Sequence, residues 1–356
     1  MRWLWVTLIS ALVLTTGIAT APRSPRSDTA AFAASILGKP KCHYVTKTVH
    51  GKKKRVKVCT KPTPTPTRTP RPTSTPTPTS TPAPLNLIDA GGYVWLDGAG
   101  NVYVSSGAGS NGTVSKLSST GTLLATFRSD LDGAEGVAVD AQGSVYVADL
   151  GGDRVVKFSS SGNQLGTFGS PLHVAGELSW PVGIGLDGAG NVYVADSNNS
   201  RIQEFAPDGP FVRTWGTPGA DPGQFDRPLD VAVDSHGDLF VDDYNNHRVQ
   251  ELSPTGTVLA VWGTEGSGAG QFEHPKGIAL DSAGNVYVAD TGNRRVQKLA
   301  PDGTPLVQWS TGDYEPVSPG VDSSGNVYVT EDLPGGTVGY GVAKYAPDGR
   351  LLSLWR

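Results

Sequence analysis

The sequence predicts an all-β chain whose main body is a six-bladed β-propeller of four-stranded antiparallel blades. Three observations carry that expectation. An Asp that ends a short apolar run recurs at 97, 140, 187, 234, 281 and 322, with intervals of 43, 47, 47, 47 and 41 residues. A spacing in this range with four strands per unit marks a propeller blade. Each unit also reads as four runs of about five residues parted by Gly, Asn or Asp. No window holds helical periodicity over the roughly 11 residues a helix needs.

The unit is cleanest in 277–309, GIALDSAGNVYVADTGNRRVQKLAPDGTPLVQW. The first apolar run closes on Asp281, SAGN turns the chain, and NVYVAD forms the second strand. TGNR loops to a third strand that begins at Arg295, PDG turns again, and the unit ends on Trp309. One such sheet cannot bury both faces alone, so blades must stack around an axis. The closing aromatic recurs as Phe127, Phe168, Trp215, Trp262, Trp309 and Trp355, and is expected between blades.

The string WGTEGSGAGQFEHPKGIALDSAGNVYVADTGNRRVQKLAPDG (262–303) closely resembles the NHL repeat. The lead-in GQF-x-x-P (224–228 and 271–275), the VYVAD strand and the N-x-R step all coincide with it. The resemblance runs from about 86 to 356 and implies six blades, matching the six copies. It also implies export in the manner of bacterial sensor heads, although no kinase domain is attached here.

Ahead of the repeats lie three different segments. Arg2 followed by apolar sequence from Trp3 to Ile18 is expected to be a secretory signal peptide or signal anchor within 1–33, with Ala19–Ala21 and Ala31–Ala33 as candidate cleavage sites. Residues 39–61, KPKCHYVTKTVHGKKKRVKVCTK, alternate on either side of HGKKK and read as a basic hairpin. Cys42 and Cys59, the only cysteines, bracket it and are expected to form a disulfide. The closed loop makes that bond worth about 3 kcal/mol. Residues 62–84 alternate Pro with Thr or Ser and form an extended Thr/Pro-rich linker. At about 3.1 Å per residue it reaches on the order of 70 Å.

Charge divides along the same boundary. Residues 1–84 hold 14 Lys and Arg against one acid, whereas 85–356 hold 15 against 32. An acidic head repels phosphates, so no nucleic-acid partner is expected for the propeller. The basic hairpin suits a cell-envelope polyanion, and a membrane is met only through the N-terminal segment if that stays uncleaved.

Four carboxylate–guanidinium pairs share one spacing: Asp149/Arg154, Asp196/Arg201, Asp243/Arg248 and Asp290/Arg295. Repetition argues for a structural tie between second and third strands rather than catalysis. The first and last blades depart from it at Ser106 and Glu331. The DxxGN turns lack the alternating acids of a calcium loop, and Asp there is expected to accept turn N–H groups. Asp242-Asp243 is the weak exception, a candidate calcium ligand pair.

Function on such a scaffold is expected where the copies differ, on the loops leading into the first strands. The ring before the Pro position reads Ala90, Gly133, Trp180, Arg227, His274, Glu315, and two residues later Gly92, Glu135, Val182, Leu229, Lys276, Val317. Trp180, Arg227, His274, Lys276, Glu135 and Glu315 are the candidate ligand-binding residues. Tyr93 and Trp95, two apart and on one side of the first strand, are expected to fill the closure seam beside the last blade rather than to narrow the channel.

The expected function is an exported or cell-surface binding module for a protein, peptide or glycan ligand. The alternative is a metal-dependent lyase or lactonase at the propeller axis, since the resemblance extends to streptogramin-lyase-like and gluconolactonase-like propellers. No catalytic residue and no cofactor is assigned, with calcium or zinc as the divalent ions such an enzyme would use. His173, His236, His247 and His274 occupy non-equivalent blade positions, so three imidazoles are not expected to converge on one metal.

Overall fold

The computed structural model describes residues 41–49, 52–60, 92–169, 175–332 and 341–355. The expected signal segment, the linker, a strand at 86–89 and His173 lie outside the described residues. The chain divides into two units, 1–78 and 79–356.

In the first unit, Lys41–Val49 and Lys52–Thr60 pair antiparallel, forming the expected hairpin. The register sets Cys42 directly opposite Cys59 and Lys47 opposite Lys54.

The second unit is the six-bladed propeller. Each blade is built on four strands that run inner, second, third, outer in chain order. The inner strands are Val94–Leu96, Asp132–Val139, Pro181–Leu186, Pro228–Val233, Pro275–Leu280 and Glu315–Val321, in blades 1 to 6. VYVAD forms second strands in blades 2, 3 and 5, every residue of which is buried. That burial explains why these strands are apolar on both faces: each is covered by a neighbouring blade on either side.

Ring closure is by packing, as the blade phase predicts. Val94, Val102, Val104 and Leu117 of blade 1 bury against Tyr328 and Val342 of blade 6, with Leu96 and Trp355 at the edge. The residues that fill the seam are therefore Val94 and Leu96. Tyr93 and Trp95 alternate to the other side of the strand and line the axis, which corrects the expectation that they sit in the seam.

Blade 2 departs from four strands. The 2–3 loop of blade 1 contributes Gly107–Ser110, which pairs with the start of the blade 2 inner strand through Gly107–Ala134 and Ser110–Asp132. Ser106 stands where other blades carry the tie Asp, so this loop is held by the neighbouring blade instead.

The predicted tie forms in all four blades that carry it. Nε of Arg154, Arg201, Arg248 and Arg295 donates to Oδ2 of Asp149, Asp196, Asp243 and Asp290 at 2.6–2.7 Å, and each Asp is fully buried. Two further bonds carry each tie beyond the second and third strands that the sequence pairs. Oδ1 of the same four Asp residues accepts the main-chain N–H of Asp132, Ser179, Asp226 and Glu273 at 2.6–2.8 Å. Nη2 of Arg154, Arg201, Arg248 and Arg295 donates to the carbonyls of Asp130, Glu177, Gln224 and Gln271. Each tie thus also fixes the lead-in to its own inner strand.

The ties form one repeated device, and one copy is more open than the rest. The side chains of Arg201, Arg248 and Arg295 are 13, 11 and 10 % exposed, whereas that of Arg154 is 31 % exposed. In blades 4 and 5 the lead-in folds back on itself through the bridges Pro218–Phe225 and Glu265–Phe272, and the guanidinium also reaches the carbonyls of Ala220 and Ser267. Blade 3, which holds Arg201, carries Leu178 in place of those phenylalanines. The DxxGN turns behave as expected: Asp281 Oδ1 accepts from the N–H groups of Ala283 and Asn285.

Candidate functional site

Pro275 lies opposite Asp290, and Pro181 and Pro228 opposite Asp196 and Asp243. The start of each inner strand is therefore beside the end of the second strand. Lead-in loops and 2–3 turns share one face of the ring.

Three lead-in residues on that face adopt left-handed backbone: Trp180 (φ 52°), Arg227 (φ 59°) and His274 (φ 50°), each before a proline. Such conformations cost of order 1–3 kcal/mol for a non-glycine residue and persist only where the surroundings dictate them. Here the tie Asp holds the preceding N–H, and the following turn adds a bond, such as Ser197 N–H to the Trp180 carbonyl. The side chains project from a rigid rim. Trp180 is exposed at 45 %. The Arg227 guanidinium lies over the Tyr244 ring at 5.6 Å, and Tyr244 packs on His274 at 4.8 Å.

The second ring of lead-in residues surrounds the axis. Val182, Leu229 and Val317 are buried in one cluster with Tyr93. Tyr93 crosses the channel, its Oη donating within reach of the carbonyls of Lys276 at 3.0 Å and Leu229 at 3.3 Å. This apolar tier floors a mouth on the lead-in face.

Glu135 and Lys276 stand at the same level, joined by Asp332 and Glu315. Burial pushes the Glu135 carboxyl up to about 8, with the Asp332 charge adding to it and the Lys276 ammonium opposing. Burial likewise raises Asp332 to about 6, opposed by Lys276 and assisted by Glu315. Asp332 Oδ1 is buried and has no hydrogen-bond partner among the described residues. The mouth thus holds two carboxyls of raised pKa, Glu135 above Asp332, within electrostatic reach of the Lys276 ammonium.

Three of the six predicted residues, Glu135, Lys276 and Glu315, meet at the axis. Arg227 and His274 meet on the rim through Tyr244, and Trp180 stands apart between blades 2 and 3. Sequence reasoning missed Asp332 and Tyr244. Tyr244 immediately follows its second strand and Asp332 is the last residue of its own, in the aligned series Leu150, Ser197, Tyr244, Thr291, Asp332. That position varies as much as the lead-in does, and the variation was the signal. Leu150 and Tyr244 pack against the floor cluster.

Beneath Tyr93 lies an axial cavity of about 180 Å³, lined by inner strands of all six blades and including Trp95, Ile184, Asp230 and Ser318. Asp230 occupies the tier that is Gly136, Gly183 and Gly277 elsewhere. A Cβ on Gly277 would collide with the Val317 carbonyl, and one on Gly136 with that of Val182, so the glycines let inner strands converge. Asp230 instead bridges blades, accepting from Ile278 N–H at 3.1 Å. Asp242 replaces the Ala of VYVAD and accepts from the N–H groups of Leu229 and Asp230. Burial raises both carboxyls, Asp230 to about 8. Asp243 turns the other way, into the tie with Arg248, Asn246 and Gln250. Asp242 and Asp243 thus do not share a calcium site, because successive strand residues face opposite sides.

The NHL repeat family model matches residues 178–205, 225–252 and 272–299. A search of curated proteins finds no match. Among solved structures, a streptogramin B lyase superposes with a TM-score of 0.56 at 16 % identity, covering 77 % of this chain and 85 % of that one. Virginiamycin B lyase from Staphylococcus aureus gives 0.54 at 13 % identity over 74 % and 83 %. A protein of unknown function from Bacteroides caccae gives 0.53 at 15 % identity over 71 % and 93 %. At these identities the likeness is one of fold. Three matched repeats in blades 3 to 5, within a ring of six blades, support an NHL-repeat β-propeller family.

Proposed function

We propose that the protein is an exported binding module that takes a protein, peptide or glycan segment at the axial mouth of its propeller. The observation that carries this reading is the grouping of Glu135, Lys276, Asp332 and Glu315 over the Tyr93 floor. A neutral carboxyl donates, a carboxylate accepts and an ammonium supplies charge, on a floor that excludes water. Peptide and sugar groups present the complementary donors and acceptors. The aromatic and cationic rim of Trp180, Arg227, Tyr244 and His274 extends the contact surface, in keeping with the residue types that dominate binding.

In this reading the N-terminal signal directs export, the linker separates head from envelope, and a Cys42–Cys59 disulfide staples the basic hairpin against a cell-envelope polyanion. The opposed Cys42 and Cys59 support the staple. The basic sequence of the hairpin, with Lys47 and Lys54 at paired register positions, supports the polyanion.

The test is capture from cell-envelope extract by immobilised propeller, comparing wild type with Lys276→Ala and Glu135→Gln. Partners retained by wild type and lost by either variant are expected. An unchanged captured set would refute the mouth as the site.

One observation favours a second reading, catalysis. Glu135 and Asp332 have pKa values pushed apart, to about 8 and about 6, which is how one site supplies an acid and a base together. A lyase of this kind would open virginiamycin B, with the rate falling in Glu135→Gln. Absence of turnover by wild type removes this reading and leaves the binding module standing.

A further inference from the structure

We propose that His247, Glu273 and His274 form a binding site for one Zn²⁺ ion on the rim between blades 4 and 5. Each of the three offers a ligand atom, and these atoms lie within 4.8 Å of one another. The two imidazole centroids are 4.3 Å apart, and Glu273 Oε1 is 3.6 Å from His274 Nδ1. Two neutral imidazoles and one carboxylate are a zinc donor set, and they leave the fourth position to solvent or to a ligand.

The site grows from a contact that the fold repeats. At two junctions the residue ending the 2–3 turn lies beside the lead-in residue of the next blade, 27 positions on. In blades 2 and 3, Asp153 Oδ1 accepts the Trp180 N–H at 2.8 Å. In blades 4 and 5, His247 Nδ1 accepts the His274 N–H at 3.2 Å. Only at blades 4 and 5 do both positions hold an imidazole, because only there do the N-x-R step and the E-x-P lead-in each carry His.

The backbone under this donor set is already fixed. His247 and His274 both sit in left-handed conformation. Glu273 is held by its N–H to Asp290 Oδ1 at 2.7 Å and by its carbonyl to Gly292 N–H at 2.8 Å. Tetrahedral zinc with bonds of about 2.0–2.1 Å needs donors roughly 3.4 Å apart. Rotation of half-exposed side chains closes the remaining distance without moving main chain. The His274 amide, which donates to the His247 ring, lies where metal binding at that ring changes its surroundings.

A second histidine cluster supplies the contrast. Asp234, His236 and Asp238 also lie within reach of each other. Asp234 Oδ1 is already committed to the N–H groups of His236 and Asp238, and Oδ2 to the His236 ring. That cluster provides one imidazole instead of two, and it serves as the internal control.

The experiment uses the untagged protein, stripped with chelator and dialysed. Zn²⁺ is titrated calorimetrically, Co²⁺ is followed by visible absorption, and the His274 amide is followed by NMR. One equivalent of metal is expected, with a shift of the His274 amide at the same stoichiometry. His247→Ala and His274→Ala should each weaken binding more than tenfold and abolish the cobalt absorption, while His236→Ala should leave both unchanged. Failure of wild type to take up metal at roughly millimolar concentration would overturn the proposal. So would binding that survives in His247→Ala and vanishes in His236→Ala. If a variant fails to fold, the wild-type stoichiometry and the identity of the shifted amide decide the matter. None of these readouts depends on the ligand of the axial mouth.

Discussion

Replacing Asp242 by Asn should flatten the alkaline loss of stability of this propeller. Asp242 is fully buried, and its Oδ1 accepts two main-chain N–H bonds that an Asn carbonyl oxygen can also accept. Its Oδ2 has no hydrogen-bond partner among the described residues, so the Asn amino group displaces no bond. Burial raises the Asp242 carboxyl well above its usual range, and the Asp230 charge raises it further. Asp230 itself is raised from 3.8 to about 8. For such a group the folded state holds a proton the unfolded chain has released. Its contribution is fully present below about pH 4 and is lost as pH rises through the folded pKa. Each pH unit in that window costs about 1.4 kcal/mol per group. The substitution should therefore recover about 1.4 kcal/mol for each pH unit of the window in which Asp242 is protonated only in the folded state. Asp230 and Glu135 are raised by burial in the same direction and keep a residual slope in the variant. The assay is urea unfolding of both proteins at unit steps from pH 5 to 9. Parallel stability curves would refute the assignment of this slope to the Asp230–Asp242 pair.

Three further outcomes follow from the geometry. Arg295→Ala leaves the fully buried Asp290 carboxylate without its cation and should cost about 3–5 kcal/mol by denaturation; Arg154→Ala, whose side chain is 31 % exposed, should cost less, and Arg201→Ala, 13 % exposed, about as much as Arg295→Ala. Tyr93→Phe removes the hydroxyl that bonds to the carbonyls of Lys276 and Leu229 and should cost about 1–3 kcal/mol, read as a lowered unfolding midpoint. Intact mass with and without reductant should differ by two protons if Cys42 and Cys59, opposed in register, are bonded; identical masses would exclude the staple.

Blade number, strand order and the Asp–Arg tie were legible in the sequence because they depend on local patterns repeated around the ring. A turn, a five-residue strand and a cross-strand pair each lie within about 20 residues, and repetition separates them from chance. The reach of the tie into the lead-in loop was hidden, because an Asp side chain and an N–H 17 residues earlier leave no pattern to read. The greater exposure of Arg154 than of Arg248 was hidden too, since both lie five residues after their Asp. Tyr93 shows the limit more sharply. Its place on one side of the first strand followed from alternation, yet its partners are main-chain carbonyls 136 and 183 residues away. Carbonyls have no sequence signature.

What the sequence alone determined is the repeating frame and the ring of positions free to vary. Where those positions meet was settled by the closed ring, which puts blade 2 opposite blade 5 and so sets Glu135 beside Lys276 and Asp332. The packing of neighbouring blades sets His247 against His274, although the two occupy different positions in their respective repeats. Contacts within a blade obey the repeat period, and sequence discloses them. Contacts across the axis or between adjoining blades depend on angles summed around the ring, and only the tertiary structure fixes those.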